Sequence, residues 1–200
     1  MRPEGNAIVY CEGAYATLNG KTAHGLVRFS RRYRVLAVVD SRHAVQDAGE
    51  VIDGKASGIP VTASIEDALT LGRQAGTPAT HLVIGIAPDG GRLGSQARRD
   101  VISAIGHKLN VDCGLHDFLS QDEEIAVQAE RNGVVLRDIR KPPDRSQLHF
   151  FSGKIESVAA LKIAVLGTDS AVGKRTTAWL MVQALERSGY RTQMIGTGQT

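Results

Sequence analysis

The most specific segment of the chain is Gly167-Thr168-Asp169-Ser170-Ala171-Val172-Gly173-Lys174-Arg175-Thr176-Thr177. It follows an apolar segment, Lys162–Leu166, that has the character of a buried strand, and it precedes a stretch with apolar residues at helical spacing. A glycine-rich loop between a strand and a helix is the setting of a P-loop. Its backbone N–H groups and the helix N-terminus converge on a polyanion, and Lys174 adds a mobile cation. The segment therefore predicts a phosphate-binding site.

Two positions of this loop depart from the general pattern G-x-x-x-x-G-K-[ST]. Thr168 stands where that pattern has its first glycine, as in the loop of dethiobiotin synthetase and its relatives, which this segment resembles. Arg175 stands where the magnesium-binding hydroxyl belongs, and a guanidinium cannot coordinate a cation. Either Thr176 takes that role or the loop binds phosphate without a metal, and we assign no metal-ligand set. The predicted cofactor-binding residues are Gly167, Thr168, Asp169, Ser170, Gly173, Lys174, Arg175, Thr176 and Thr177.

The first three quarters of the chain alternate short apolar runs with helical stretches. This alternation is typical of a parallel sheet wrapped by crossover helices, and it predicts a Rossmann-like α/β domain. Helix signals include a cap at Ser64 and a glycine stop at Gly133. The predicted strands are Ala7–Tyr10, Val35–Asp40, His81–Ile86, Val111–His116 and Val134–Ile139, with a short extended piece at Gly58–Val61, and the predicted helices are Thr22–Arg31, one from Ser64, Arg98–Lys108 and Asp122–Asn132.

A charged segment with two prolines, Arg140–Arg145, excludes a buried element and marks a domain boundary. We predict a Rossmann-like domain over 1–145, a linker over 146–160, and the start of a P-loop NTPase-like α/β domain over 161–200. Only the first β-α-β unit of that second domain is expected, with a second strand at Thr192–Gly196, because a complete sheet of five strands needs about 150 residues. The chain is accordingly expected to be part of a longer protein.

Composition excludes several classes of protein. The 200 residues are 42% hydrophobic with a net charge of +3, and the basic residues are scattered, which argues against a nucleic-acid groove. No apolar stretch approaches the roughly 18 residues that span a bilayer, and the N-terminus lacks a signal-peptide core. We therefore expect a cytoplasmic protein without nucleic-acid or membrane partners. Cys11 and Cys113 stand far apart without metal-type spacing and are expected to be buried free thiols.

One position hints at a dinucleotide site. Asp40 ends a strand about 30 residues after the first one, where a dinucleotide-binding domain places the acid that binds ribose. The segment Cys11–Ala16 lacks the glycines of the G-x-G-x-x-G fingerprint, however. The pattern therefore disfavours NAD binding.

Several blocks, taken together and in order, resemble a family of bacterial and archaeal proteins that is grouped as a domain of unknown function. Its members have a Rossmann-like N-terminal half and a P-loop C-terminal half. The resemblance covers almost the whole chain. The characterised activity of the family is that of a D-glutamate N-acetyltransferase. The blocks are Lys21–Leu26, Gly85–Leu93, Gly114–Leu119, Arg137–Pro143, Gly167–Thr177 and Gly196–Thr200.

The resemblance implies an acyltransferase that moves acetyl from acetyl-CoA to the amine of an acidic amino acid, D-glutamate being the expected substrate, and we expect a homo-oligomer. Coenzyme A carries a pyrophosphate and a 3′-phosphate, so a metal-free phosphate loop suits it. Amine acylation needs a general base, for which His116 is the first candidate and His24 the second. Arg92 and Arg140 are the candidate ligands for the substrate carboxylates.

Two other readings stay open. In the first, the chain belongs to an ATP-dependent ligase or kinase that resembles dethiobiotin synthetase. Lys174 would then stabilise the transferred phosphoryl group, and Thr176 would bind magnesium. In the second it is a nucleotide-sensing module without turnover, whose N-terminal half recognises a metabolite. Magnesium dependence and turnover separate the three.

Overall fold

The computed structural model describes residues 3–169 and 172–196. The chain divides into two compact units, Met1–Lys141 and Pro142–Thr200, and each is treated by itself. The division lies four residues before the end of the predicted first domain.

A parallel sheet of six strands forms the first unit. Its strand order is β3-β2-β1-β4-β5-β6, so β1 and β4 lie at the centre where the order reverses. This is the strand order of a doubly wound Rossmann-like domain, and the predicted fold class is confirmed. The strands are β1 (Gly5–Tyr10), β2 (Tyr33–Val39), β3 (Val61–Thr62), β4 (His81–Ile84), β5 (Asn110–Cys113) and β6 (Leu136–Asp138).

Five helices connect these strands, and their ends follow from capping residues. Ser64 caps one helix by accepting from the N–H of Asp67, and Gly133 ends another in the left-handed conformation, as their sequence signals predicted. Helix α2 was not predicted; Asp47 caps its start and Gly54 ends it. The helices are α1 (Lys21–Phe29), α2 (Ala48–Asp53), α3 (Ile65–Gln74), α4 (Ser95–Gly106) and α5 (Glu123–Asn132).

The two faces of the sheet carry separate apolar cores. Helices α3, α4 and α5 pack on one face, where Ile8, Leu82 and Val111 point toward them from neighbouring strands. Helices α1 and α2 pack on the other face, against the alternate residues of β1 and β2. Because strand side chains alternate between faces, both cores come from one apolar run in each central strand.

Gly85 lets α1 approach the central strands closely. Its N–H donates to the carbonyl of Tyr10 at 2.7 Å, and its carbonyl accepts from the N–H of Ala23 at 3.1 Å. A Cβ at this position would lie 2.7 Å from Val9 Cγ1 and 2.9 Å from Ala23 Cβ. Only glycine fits the point where α1, β1 and β4 meet.

We expect Gly85→Ala to lower the free energy of unfolding by about 1 to 3 kcal/mol, the usual cost of overpacking a close-packed core. Gly25 is the matched control, because it lies within α1 and a Cβ there would meet nothing within 4 Å. Gly25→Ala should raise stability by roughly 0.5 to 1 kcal/mol through helix propensity. Urea unfolding of both variants checks this, and equal effects would contradict the packing argument.

Charged side chains tie the amino-terminal edge of the sheet together. Glu4 pairs with Arg137 and with Arg32, each at 2.5 Å, and Arg137 also lies 3.6 Å from the buried carboxylate of Asp112. The hydroxyl of Tyr33 donates to Asp112. Hydrogen bonds from Arg137 and then Arg32 lower the pKa of Glu4 to about 2.

This pairing makes stability depend on pH in a defined window. Because the pKa of Glu4 falls from 4.5 to about 2 on folding, its contribution is present above pH 4.5 and is lost as the pH falls toward 2. We expect the melting temperature of Glu4→Gln to lie below that of the wild type at pH 7 and to converge with it near pH 2. A difference that stays constant between these pH values would contradict the assignment.

The second unit contains one α-helix, α6 (Lys174–Arg187), among its described residues, at the place predicted after the phosphate loop. The two flanking segments predicted as strands, 162–166 and 192–196, have no strand pairing. A strand needs a hydrogen-bonded neighbour, and the described part of this unit contains no paired partner for either segment. Leu161 and Leu166 are accordingly exposed although their sequence pattern is apolar.

Both cysteines are buried free thiols, as predicted. Burial raises the pKa of Cys11 to about 12 and the pKa of Cys113 to about 11. The nucleophilic thiolate is therefore scarce at neutral pH in both.

Candidate functional site

The carboxyl ends of the parallel strands bring several loops to one edge of the sheet. In open sheets of this type, ligands bind outside this edge, near the point where the strand order reverses. Here that point is the crevice between β1 and β4. The loop after β4, which carries Arg92, and the loop after β5, which carries His116, lie at this edge.

The backbone joins these two loops directly. The N–H of His116 donates to the carbonyl of Gly91 at 2.9 Å, and the N–H of Asp117 donates to the same carbonyl at 3.3 Å. Gly91 has a φ of +65°, and its missing side chain leaves room for the ring of His116. His116 is exposed to solvent while its main chain is held. An exposed imidazole on a fixed backbone is suited to proton transfer.

Two predicted substrate-binding arginines reach the same loop after β5. The Nε of Arg92 lies 3.7 Å from the carboxylate of Asp117, and its side chain is 82% exposed. The Nε of Arg140 donates to the carbonyl of Gly114 at 2.6 Å. Arg92 can therefore turn toward an incoming carboxylate, whereas one edge of the Arg140 guanidinium is committed to the main chain.

A cleft with a volume of about 280 Å³ lies beside His116. Arg98 lines it but is engaged by both oxygens of Asp122, at 2.9 and 2.8 Å, and by Glu124 at 2.7 Å. This pairing holds the start of α5 against α4, and sequence reasoning had not selected Arg98. Its helical setting gave no local sign of the partners. The lining residues are Leu93, Arg98, His116, Asp117, Phe118, Leu119, Gln121, Asp122 and Ile125.

His24, the second predicted base, lies on α1 and contacts the loop after β1. Its Nε2 is 2.6 Å from the carbonyl of Tyr15, and the two rings are in edge contact at 5.5 Å. Because a carbonyl only accepts, Nε2 must carry the proton in this contact. His24 therefore braces the loop after β1, and the structure brings Arg92, His116 and Arg140 together without it.

The carboxylate of Asp40 also accepts hydrogen bonds from the main chain of nearby loops. It is fully buried, and its carboxylate accepts from the N–H of Tyr15 at 2.8 Å and from the N–H of Arg42 at 3.0 Å. A carboxylate that binds a ribose must face the ligand. In this structure the Asp40 carboxylate holds the main chain of the loop after β1 at Tyr15.

A second cleft of about 220 Å³ lies at the same edge of the sheet and carries three carboxylates, those of Glu12, Glu66 and Asp100. The hydroxyl of Tyr10 donates to Asp100 at 2.6 Å. Burial, followed by the hydrogen bond to Asp100, raises the pKa of Tyr10. Sequence reasoning did not select these residues, because they come from three separate segments of the chain.

The phosphate loop of the second unit is shaped by glycine and lysine. Gly173 precedes α6 with a φ of +89°, and no side chain among the described residues caps the helix start. Lys174 folds back so that its Nζ donates to the carbonyl of Asp169, and a Cβ on Gly167 would lie 2.9 Å from Lys174 Cδ. In the described part of this loop, an uncapped helix start therefore lies next to the cation of Lys174.

The other predicted residues of this loop divide into three kinds. Thr168 is exposed, as are Arg175 and Thr176 at the start of α6. The hydroxyl of Thr177 donates to the carbonyl of Gly173 at 3.2 Å, so it is engaged within the helix. Ser170 lies outside the described residues, as does the block 197–200.

Two features are absent from the described residues, a cluster of metal-ligating side chains and a membrane-spanning helix. Within 3–169 and 172–196, no three His, Cys, Asp or Glu side chains are grouped as metal ligands. Among the helices of the same residues, none combines the length and hydropathy needed to cross a membrane.

Comparison with known families gives two matches along the chain. Residues 41–142 match the domain of unknown function DUF1611_N, a Rossmann-like domain. Residues 149–200 match DUF1611_C, a P-loop domain. A crystal structure of a DUF1611 family protein from Anabaena variabilis superposes with a TM-score of 0.76 and 27% identity, over 98% of this chain and 53% of that one.

Two curated relatives carry the name D-glutamate N-acetyltransferase. The protein from Tritonibacter scottomollicae is 30% identical over 132 residues, which are 66% of this chain and 38% of the relative. The protein from Pseudoalteromonas sp is 29% identical over 121 residues, 60% of this chain and 35% of the relative. The chain thus matches little more than a third of the length of either relative.

Proposed function

The chain belongs to the DUF1611 family, and from that premise we propose that it is part of an N-acyltransferase that moves acetyl from acetyl-CoA to the amine of an acidic amino acid, D-glutamate in the first instance. The observation that carries the proposal is the meeting of Arg92, His116 and Arg140 around one loop at the carboxyl edge of the sheet. The names of the two relatives support the same reaction.

The proposed chemistry assigns a separate task to each group. Bound acetyl-CoA supplies an activated thioester carbonyl. His116 accepts a proton from the substrate ammonium, since only the neutral amine is a nucleophile. The nitrogen then bonds to the acetyl carbon, the carbon–sulfur bond breaks, and sulfur leaves with the electron pair and takes the second N–H proton as the free thiol.

The two arginines differ in how freely they can bind a substrate carboxylate. Arg92 is exposed and makes one long contact with Asp117, so it can form the bidentate pair that guanidinium offers a carboxylate. The guanidinium of Arg140 already uses Nε on Gly114, which limits it to the contacts of its terminal nitrogens. We therefore assign the main carboxylate contact to Arg92 and a supporting contact to Arg140.

The phosphate loop fits coenzyme A without a metal. The side chain of Lys174 packs against Gly167, where a Cβ would collide with it, and supplies the cation; no side chain among the described residues caps the start of α6. The hydroxyl of Thr177 is engaged with Gly173, and Arg175 stands at the metal-ligand position. These residues favour phosphate binding over magnesium chemistry.

Direct transfer to the amine is favoured over an acyl-cysteine route. A covalent route needs an accessible thiolate. Both cysteines of the chain are buried, and burial raises the pKa of each well above neutrality.

The decisive test incubates the purified full-length protein with acetyl-CoA and D-glutamate, with and without magnesium, while free thiol and ATP consumption are followed in parallel. We expect thiol release that matches N-acetylglutamate formation and does not need magnesium. L-Glutamate and D-alanine are the controls for stereochemistry and for the side-chain carboxylate.

Other results would reject the proposal. Formation of ADP that requires magnesium and a substrate would place the protein among the ligases or kinases. Tight binding of nucleotide or coenzyme A without any turnover would indicate a sensor.

A further inference from the structure

We infer that Gly91 is a positioning residue for the imidazole of His116: the missing side chain of Gly91 gives the ring its place at the carboxyl edge of the sheet. The contact itself is a property of the fold. Its meaning for catalysis rests on the proposed function.

The space around Gly91 is already filled by the ring. A Cβ on Gly91 would lie 2.5 Å from Cδ2 of His116, 3.1 Å from Cγ and 3.2 Å from Cβ. A carbon–carbon contact normally lies near 3.5 to 4.0 Å, so any side chain at this position must displace the imidazole. The three nearest atoms all belong to His116, so the displacement would act on this residue first.

The main chain prevents His116 from moving away as a whole. Its N–H and that of Asp117 both donate to the carbonyl of Gly91, at 2.9 and 3.3 Å, and Arg92 lies 3.7 Å from Asp117. The backbone of His116 is thus anchored to the same residue that its ring covers. Rotation of the side chain relieves the closest contact, that with Cδ2 at 2.5 Å, and this rotation would move the ring nitrogens that carry protons.

The neighbouring glycine provides a matched control. Gly90 has a φ of +76° and Gly91 a φ of +65°, so both hold a left-handed conformation that disfavours other residues. A Cβ on Gly90 would meet nothing within 4 Å. Alanine at either position therefore imposes a similar backbone strain, and only alanine at 91 meets the ring.

The first experiment is a double-mutant cycle on the full-length protein with Gly91→Ala, His116→Ala and the pair of them, beside Gly90→Ala. We expect Gly91→Ala to melt roughly 3 to 10 °C below Gly90→Ala, the size that overpacking has in a protein of this length. In the His116→Ala background the added alanine should cost only slightly more than Gly90→Ala does, because the ring is gone and only the Cβ of residue 116, at 3.2 Å, remains.

The second experiment separates positioning from folding. The ring C–H signals of His116 in NMR spectra should shift in Gly91→Ala and stay in place in Gly90→Ala. In the acetylation assay, kcat of Gly91→Ala should fall at least about tenfold below that of Gly90→Ala. KM for acetyl-CoA should be the same in both.

The outcomes distinguish this inference from the proposed function. Equal destabilisation by Gly91→Ala with and without the His116 ring, or ring signals that do not move, would overturn the inference. If Gly91→Ala fails to fold, folding of the double variant supports the contact, and failure of both beside a folded Gly90→Ala overturns it. The two predictions can also fail separately. If the double-mutant cycle shows coupling and the ring signals shift in Gly91→Ala, but the wild type acetylates no amino acid, the contact is confirmed and the proposed function is rejected.

Discussion

Lys174→Ala is expected to weaken binding of coenzyme A by about 10- to 150-fold, which corresponds to the 1.5 to 3 kcal/mol of a hydrogen bond with a charged partner. Lys174 is the one cation that folds over Gly167 and Asp169 in the described part of the phosphate loop. Without it, the N–H groups at the start of α6 must hold the phosphate alone.

Calorimetry with coenzyme A measures this effect, and Lys162→Ala is the matched control. Lys162 belongs to the same unit and donates to the carbonyl of Val158 at 2.7 Å, outside the phosphate loop. We expect its variant to bind coenzyme A as the wild type does. Equal affinity of Lys174→Ala and the wild type would remove the phosphate loop from the proposal.

His116→Ala is expected to lower kcat for acetyl transfer by about 100- to 10,000-fold, the range that a general base contributes. Affinity for coenzyme A should not change, because the phosphate loop lies in the other unit. The main chain of His116 keeps its bond to Gly91 in this variant, so the loop after β5 should keep its course.

His107→Ala serves as the control for the loss of an imidazole. His107 follows α4, and its Nε2 lies 3.8 Å from a carboxylate oxygen of Glu66, with the side chain 44% exposed. We expect near-normal turnover in this variant. Steady-state kinetics with D-glutamate measures both, and full activity of His116→Ala would show that another group accepts the proton.

The elements of the first unit were predictable because their causes are local. Alternating apolar runs predicted the strands, and Ser64 and Gly133 predicted helix limits, since capping involves residues three or four positions apart. Helix α2 was not predicted because it has only six residues, too few to show a helical pattern of apolar residues. The predicted strands at 162–166 and 192–196 failed to pair for the opposite reason, because strand formation depends on a partner that local sequence does not supply.

The sequence by itself determined the parts of this protein that lie within one contiguous segment. The phosphate loop is such a part, because its glycines, lysine and helix start are neighbours along the chain. The same holds for the alternation that makes the first unit a parallel sheet.

Only the tertiary structure decided which distant residues meet. Gly91 meets His116, and Arg140 meets Gly114, because β4, β5 and β6 lie side by side and their carboxyl ends open to one edge. His24 was the second candidate base in the sequence, yet its ring contacts the carbonyl of Tyr15 in the loop after β1. Contacts of this kind depend on strand order and on the space that a missing side chain leaves. Neither can be predicted from the residues next to each other in the sequence.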